Sequence, residues 1–146
     1  MKRLILSTVL GIGFVLSVSA QEYKVVTSVE SIVPSGLGRS RIINTLENKD
    51  YKAYTSVQTE TDNTRNKSSR KDIRVKNFEE TKLLNFFNIG GIRFQNIAAN
   101  DALLGSMIND MTTQGWELVF VTSAVESDSG DKDGKGIFIT RYIFKK

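Results

Sequence analysis

Arg39 and Arg41 flank a single serine just after the break Pro34-Ser35-Gly36-Leu37-Gly38. A guanidinium fork matches the oxygens of a carboxylate or phosphate two at a time, so two arginines beside a turn form a candidate anion grip. The bland alternative is a pair of solvated side chains. The glycines themselves do not complete a phosphate loop. The third glycine of a dinucleotide fingerprint is missing, and no P-loop lysine follows.

A denser basic run covers residues 65–76, where Arg65, Lys67, Arg70, Lys71, Arg74 and Lys76 face one acid, Asp72. Such a cluster can hold a polyanion. No aromatic residue lies among these side chains to stack on bases, so nucleic acid is not the expected partner and a solvated loop is the plainer reading. Asn66-Lys67-Ser68 also fits a glycosylation sequon.

Carboxylate chemistry has candidates in Glu117, Glu126 and Asp128, because paired acids hydrolyse glycosides without histidine. Sequence spacing does not establish a pair. Residues 127–136 have calcium-loop composition. Aligning Gly134 with the invariant EF-hand glycine, however, leaves Ser129 at the first ligand position and Thr140 where a glutamate is required. A polar hairpin loop is expected there. Histidine and cysteine are both absent, which removes imidazole bases, thiol nucleophiles, disulfides and cysteine-histidine zinc sites. The expectation is therefore no catalytic residue, no metal and no cofactor.

Aromatic side chains give a further class of contact. Residues 78–97 hold Phe78, Phe86, Phe87 and Phe94 among many aliphatic residues, split by Gly90-Gly91, and fit neither a helical nor a strand period throughout. Burial explains the segment economically. The alternative is an exposed binding surface, which makes Phe86, Phe87 and Phe94 ligand or partner candidates beside Arg39 and Arg41.

The elements that must carry these residues follow from pattern. Residues 1–20 read as a signal peptide: Met1-Lys2-Arg3, an apolar run, then Val18-Ser19-Ala20 before Gln21, with cleavage after Ala20. A retained anchor is the rival, although the run is shorter than the roughly 20 apolar residues that span a membrane. No cysteine follows for lipid attachment. Without Lys2 and Arg3 the remaining chain has 18 basic and 16 acidic residues, a net charge of +2. At 40% hydrophobic and 25% charged residues it can form a globular core.

Strands are expected over residues 22–33, from Arg39 through Ile43, over 51–60, over 116–125 and over 137–146, with a mobile basic loop at about 61–72. The main helix is expected at about 101–114. Asn100 or Asp101 should cap it, Leu103, Leu104, Met107, Ile108 and Met111 should form its buried face, and Gly115 should end it. Together these give a single α+β domain at 21–146, with an antiparallel sheet of about four to five strands and one helix on one face. The strand from Trp116 is apolar on both sides, which suggests a central position. Residues 78–97 are expected to cover its second face, with a second copy of the chain as the alternative.

Glu22-Tyr23-Lys24-Val25-Val26, Gln114-Gly115-Trp116-Glu117-Leu118-Val119 and the closing Phe144-Lys145-Lys146 resemble a family of small bacterial domains of unknown function with EYKVV, GWELV and FKR-like motifs. The likeness covers both ends, and residues 36–100 form a long insertion relative to short members. It implies a compact α+β unit in which these motifs are structural, and it supplies no catalytic residue. The resulting expectation is a periplasmic or secreted, non-enzymatic binding or protein-interaction module. Its partner would be a protein or small ligand of the cell envelope, with no membrane span after cleavage and a homodimer possible. A polyanion binder acting through 65–76 and a carboxylate hydrolase are the alternatives.

Overall fold

A computed structural model describes residues 21–32, 40–88, 90–125 and 136–146. Residues 1–20, expected to be a signal peptide, Arg39, Glu126, Asp128 and nearly all of the calcium-style loop lie outside them.

The described chain forms an α+β fold. Its strands are β1 (Tyr23–Ser31), β2 (Arg41–Thr45), β3 (Phe78–Lys82), β4 (Phe87–Asn88), β5 (Gly91–Ile92), β6 (Glu117–Val125) and β7 (Ile137–Lys145). Two helices, α1 (Arg70–Ile73) and α2 (Phe94–Thr113), accompany them. The main sheet is antiparallel in the order β3-β2-β1-β7-β6, and β4 pairs with β5 in a separate small hairpin. The two ends of the described chain meet: Glu22 and Lys146 exchange backbone hydrogen bonds of 3.0 and 2.9 Å beside the β1–β7 ladder.

Alternation along β1 sets the two faces of the sheet. Val26 and Ser28 point to the α2 side, where Ile42, Tyr142, Phe144, Leu83 and the α2 residue Met111 complete a buried cluster. Leu104, Met107, Ile108, Trp116 and Leu118 pack against it. Helix α2 thus docks through the stripe its sequence announces, except that Leu103 is exposed.

Several elements differ from expectation. The helix starts at Phe94 rather than near 101, because Asn100 does not cap it. That side chain is fully buried and turned to the segment around Leu84. Phe94, Gln95, Asn96 and Ile97 make the first turn, and helix-forming Ala98 and Ala99 follow in the second. Residues 51–60 make no strand. Asp50 Oδ1 accepts the Lys52 N–H at 3.0 Å and caps a 3-10 turn at Tyr51–Tyr54, and no neighbouring strand among the described residues offers a ladder. Strand β6 is an edge of the sheet, and the EYKVV strand is its centre.

Apolarity on both sides of β6 has a local cause. A bulge between Leu118 and Phe120 shifts the register, so that Leu118 pairs with Phe144 on the helix side and Phe120 pairs with Ile143 on the other. Residues 78–97 do not cover that other face. Their first part is β3 itself, Leu83 is buried in the helix-side core, and Phe86 packs on Phe138 with ring centroids 5.7 Å apart.

Gly115 behaves as its position implies. Its φ is +85°, the Trp116 N–H reaches Met111 O at 3.0 Å, and the Gly115 N–H reaches Thr112 O at 2.9 Å. These are the two bonds of a Schellman motif, which closes α2 and starts the chain toward β6.

Candidate functional site

Helix α2 leaves the outer strands β2 and β3 partly uncovered on its own side of the sheet. The space is a groove of about 440 Å³. Its floor is apolar, from Val26, Ile42, Met107 and Met111, and its rim is polar, from Lys24, Asn44, Glu79, Thr81, Asp110 and Gln114. The β2–β3 register sets Asn44 opposite Glu79, and Asn44 Nδ2 donates to Glu79 Oε2 at 2.6 Å. Asn44 Oδ1 is buried without a partner among the described residues. On the helix, Asp110 Oδ2 accepts Gln114 Nε2 at 2.8 Å.

Lysines and an aromatic ring mark one end of the groove. Lys24 and Lys146 place their ammonium groups 5.9 and 5.8 Å from the Trp116 ring centroid, within cation–π range. Lys146 Nζ also donates to Gln114 O at 2.8 Å, satisfying a carbonyl at the helix end. Trp116 is thus half-buried, packed against the core cluster while its ring also meets the two ammonium groups.

The connection from β2 to β3 is organised by carboxylates. Glu47 Oε1 accepts the N–H groups of Lys76 and Asn77 at 3.0 and 2.7 Å, which clips its two ends together. Those bonds from Asn77 and Lys76, helped by nearby Lys49, hold the Glu47 carboxyl below its ordinary range. Asp72 forms a capping box with Ser69 at the start of α1, and the Ser69 hydroxyl and N–H hold its carboxyl low in the same way. Arg65, Lys67, Arg70, Lys71, Arg74 and Lys76 are exposed along this connection, and none is in an ion pair among the described residues.

The sequence candidates do not converge. Arg41 lies on the sheet face away from α2, where its Nε meets Glu80 Oε1 at 2.9 Å and its Nη1 donates to Ser40 O at 2.8 Å. It is engaged in the structure of β2 and β3. Phe86 is half-buried, Phe87 is exposed in the small hairpin, and Phe94 is exposed at the first position of α2. The segment is thus part core and part surface. Glu117 pairs with Lys145 at 3.1 Å. Among the described residues no three acids gather as a metal site would need.

Sequence reasoning misses the groove because its polar rim is assembled from residues far apart in the chain. Asn44 and Glu79 meet only through strand pairing. One signal is available: Lys24 alternates onto the same face as Val26, so a charge has to sit beside core. Comparison with models of known protein families, with characterised proteins and with solved structures finds no match to this chain.

Proposed function

We propose that this protein is an exported, non-enzymatic binding module that holds a small ligand in the groove between α2 and strands β2 and β3. The observation that carries the reading is the groove itself, with an apolar floor of Ile42, Met107 and Met111 beneath the polar rim of Lys24, Asn44 and Glu79. Concave sites of this size with few polar groups orient a ligand while burying its apolar body. The rim's mixed charges suit an amphiphile that carries both a hydrogen-bond donor and an acidic group. The leader at 1–20 supports an envelope or secreted location, and the EYKVV and GWELV likeness is taken as one of architecture.

The test is nuclear magnetic resonance titration of the chain 21–146 with a library of amino acids, short peptides and amphiphilic acids. Saturable shifts confined to residues around Ile42, Met107 and Met111, and lost in Leu103→Trp, support the proposal. Shifts elsewhere, or none, overturn it. A polyanion reading has one observation in its favour: the six exposed basic side chains of 65–76 lack ion pairs among the described residues. Retention on heparin that weakens steeply with salt would favour it over the groove.

A further inference from the structure

Gln21 lies just outside the ladder that joins the two ends of the fold. Pairing of β1 with β7 begins at Tyr23 opposite Lys145, and the exchange between Glu22 and Lys146 extends it by one residue. Gln21 comes one step earlier. Its backbone N–H has no hydrogen-bond partner among the described residues, and its side chain is exposed. Oε1 of that side chain accepts the Tyr23 hydroxyl at 3.2 Å, whereas Nε2 holds no bond among the described residues.

Cleavage after Ala20 turns this position into a chain end, with a free α-amine on the same residue as a primary amide. The two groups react with each other. An α-amino group titrates at about 7.7 to 8.0, so the unprotonated amine is present in appreciable fraction near neutral pH. Its nitrogen adds to Cδ, and negative charge gathers on Oε1, the oxygen to which the Tyr23 hydroxyl donates. The N–Cδ bond forms, the Cδ–Nε2 bond breaks, and Nε2 leaves as ammonia with the proton that the amine gives up. No other reactant is consumed. The fold loses nothing in the exchange. The atom that departs is the unbonded Nε2, Oε1 remains an acceptor as the lactam oxygen, and the nitrogen drawn into the ring donates to no strand.

We propose, on the same reading of residues 1–20 as a cleaved leader, that Gln21 closes to pyroglutamate and seals the amino end of the central strand. A free α-amine is the handle by which an extended chain end is captured, and aminopeptidases act on such ends. Its loss matters at this place in the fold. Glu22, the next residue, is bonded to Lys146 through both its N–H and its C=O, and β1 is the middle strand of the five. Trimming from an open end meets those closing bonds after one residue and the centre of the sheet directly after them. The lactam leaves a neutral, amine-free end instead.

Intact-mass spectrometry and amino-terminal sequencing of the full chain, expressed in a bacterial host and recovered from its envelope fraction and medium, test the proposal. The expected product has the mass of the chain 21–146 less one ammonia. Its end should be closed to sequencing and should open at Glu22 once the unfolded protein is treated with pyroglutamyl aminopeptidase. Gln21→Ala should give the same cut, the undiminished mass of its own chain and an open end, from which a general aminopeptidase removes residue 21 while leaving the wild type intact. Because Gln21 lies outside the ladder, the variant should fold, which circular dichroism checks. A chain that starts at Gln21 and keeps a free amine through prolonged incubation at neutral pH overturns the proposal and leaves the cleaved leader standing. A chain that retains residues 1–20, or is cut at another bond, overturns it together with the assignment of the leader's end.

Discussion

Asn100 closes both hydrogen-bonding groups of Leu84. Its Oδ1 accepts the Leu84 N–H and its Nδ2 donates to Leu84 O, each at 2.8 Å, while Nδ2 also reaches Glu30 Oε1 at 2.8 Å. A side-chain amide here does what a neighbouring strand would do, pinning the segment after β3 to α2 and to β1. Removing it as Asn100→Ala leaves the Leu84 main-chain groups unpaired next to a void, at a cost of about 3 kcal/mol. Asn100→Asp should also be strongly destabilising, since a carboxylate cannot donate to Leu84 O and faces Glu30. Urea midpoints measure both effects, and a loss under about 1 kcal/mol for the alanine variant would contradict the assigned role.

Ser28 presents the opposite case. It is 1% exposed on the helix side of β1, and its hydroxyl oxygen has no hydrogen-bond partner among the described residues. An unpaired buried hydroxyl costs free energy that a methyl group does not. Ser28→Ala should therefore leave the melting temperature unchanged or raise it, with a gain of up to about 1 kcal/mol. A clear loss of stability in thermal unfolding would show that this hydroxyl finds a partner in solution.

Glu47 gives the chain an acid-sensitive clip. Its folded carboxyl titrates below the ordinary value of 4.5, chiefly through the Asn77 and Lys76 N–H groups. Because the folded value is the lower one, the stabilising contribution is present above the unfolded value and is lost as pH falls through the folded value. The amide resonances of Lys76 and Asn77 should move together below about pH 4.5, while the β1–β7 ladder stays intact. In Glu47→Ala these amides should lose that titration and exchange faster at neutral pH.

Legibility in the sequence follows the range of the interactions involved. Helix closure at Gly115 depends on a few neighbouring residues, and both the positive φ and the Schellman bonds are as the local pattern requires. The main sheet and its single docking helix follow from alternation and a 3.6-residue stripe. The start of α2 is hidden because Asn100 is a good capping residue by type, whereas its actual partner, Leu84, is recognisable only in the folded chain. Strand order is equally concealed. An apolar β6 suggests a centre, but a bulge after Leu118 redistributes its side chains and the strand lies at the edge. The groove shares this origin, since its rim exists only once β2 and β3 pair beside α2.

Pairing of β1 with β7 and the Glu22–Lys146 bonds join the first strand of the fold to the last. During synthesis the central strand therefore waits for the final one, and a nascent chain lacking β7 has one side of β1 unpaired. The main sheet is complete only once β7 has joined it. Truncation by even the last strand should then abolish the fold rather than trim it, and a short linker between the adjacent ends would offer a route to circular permutation.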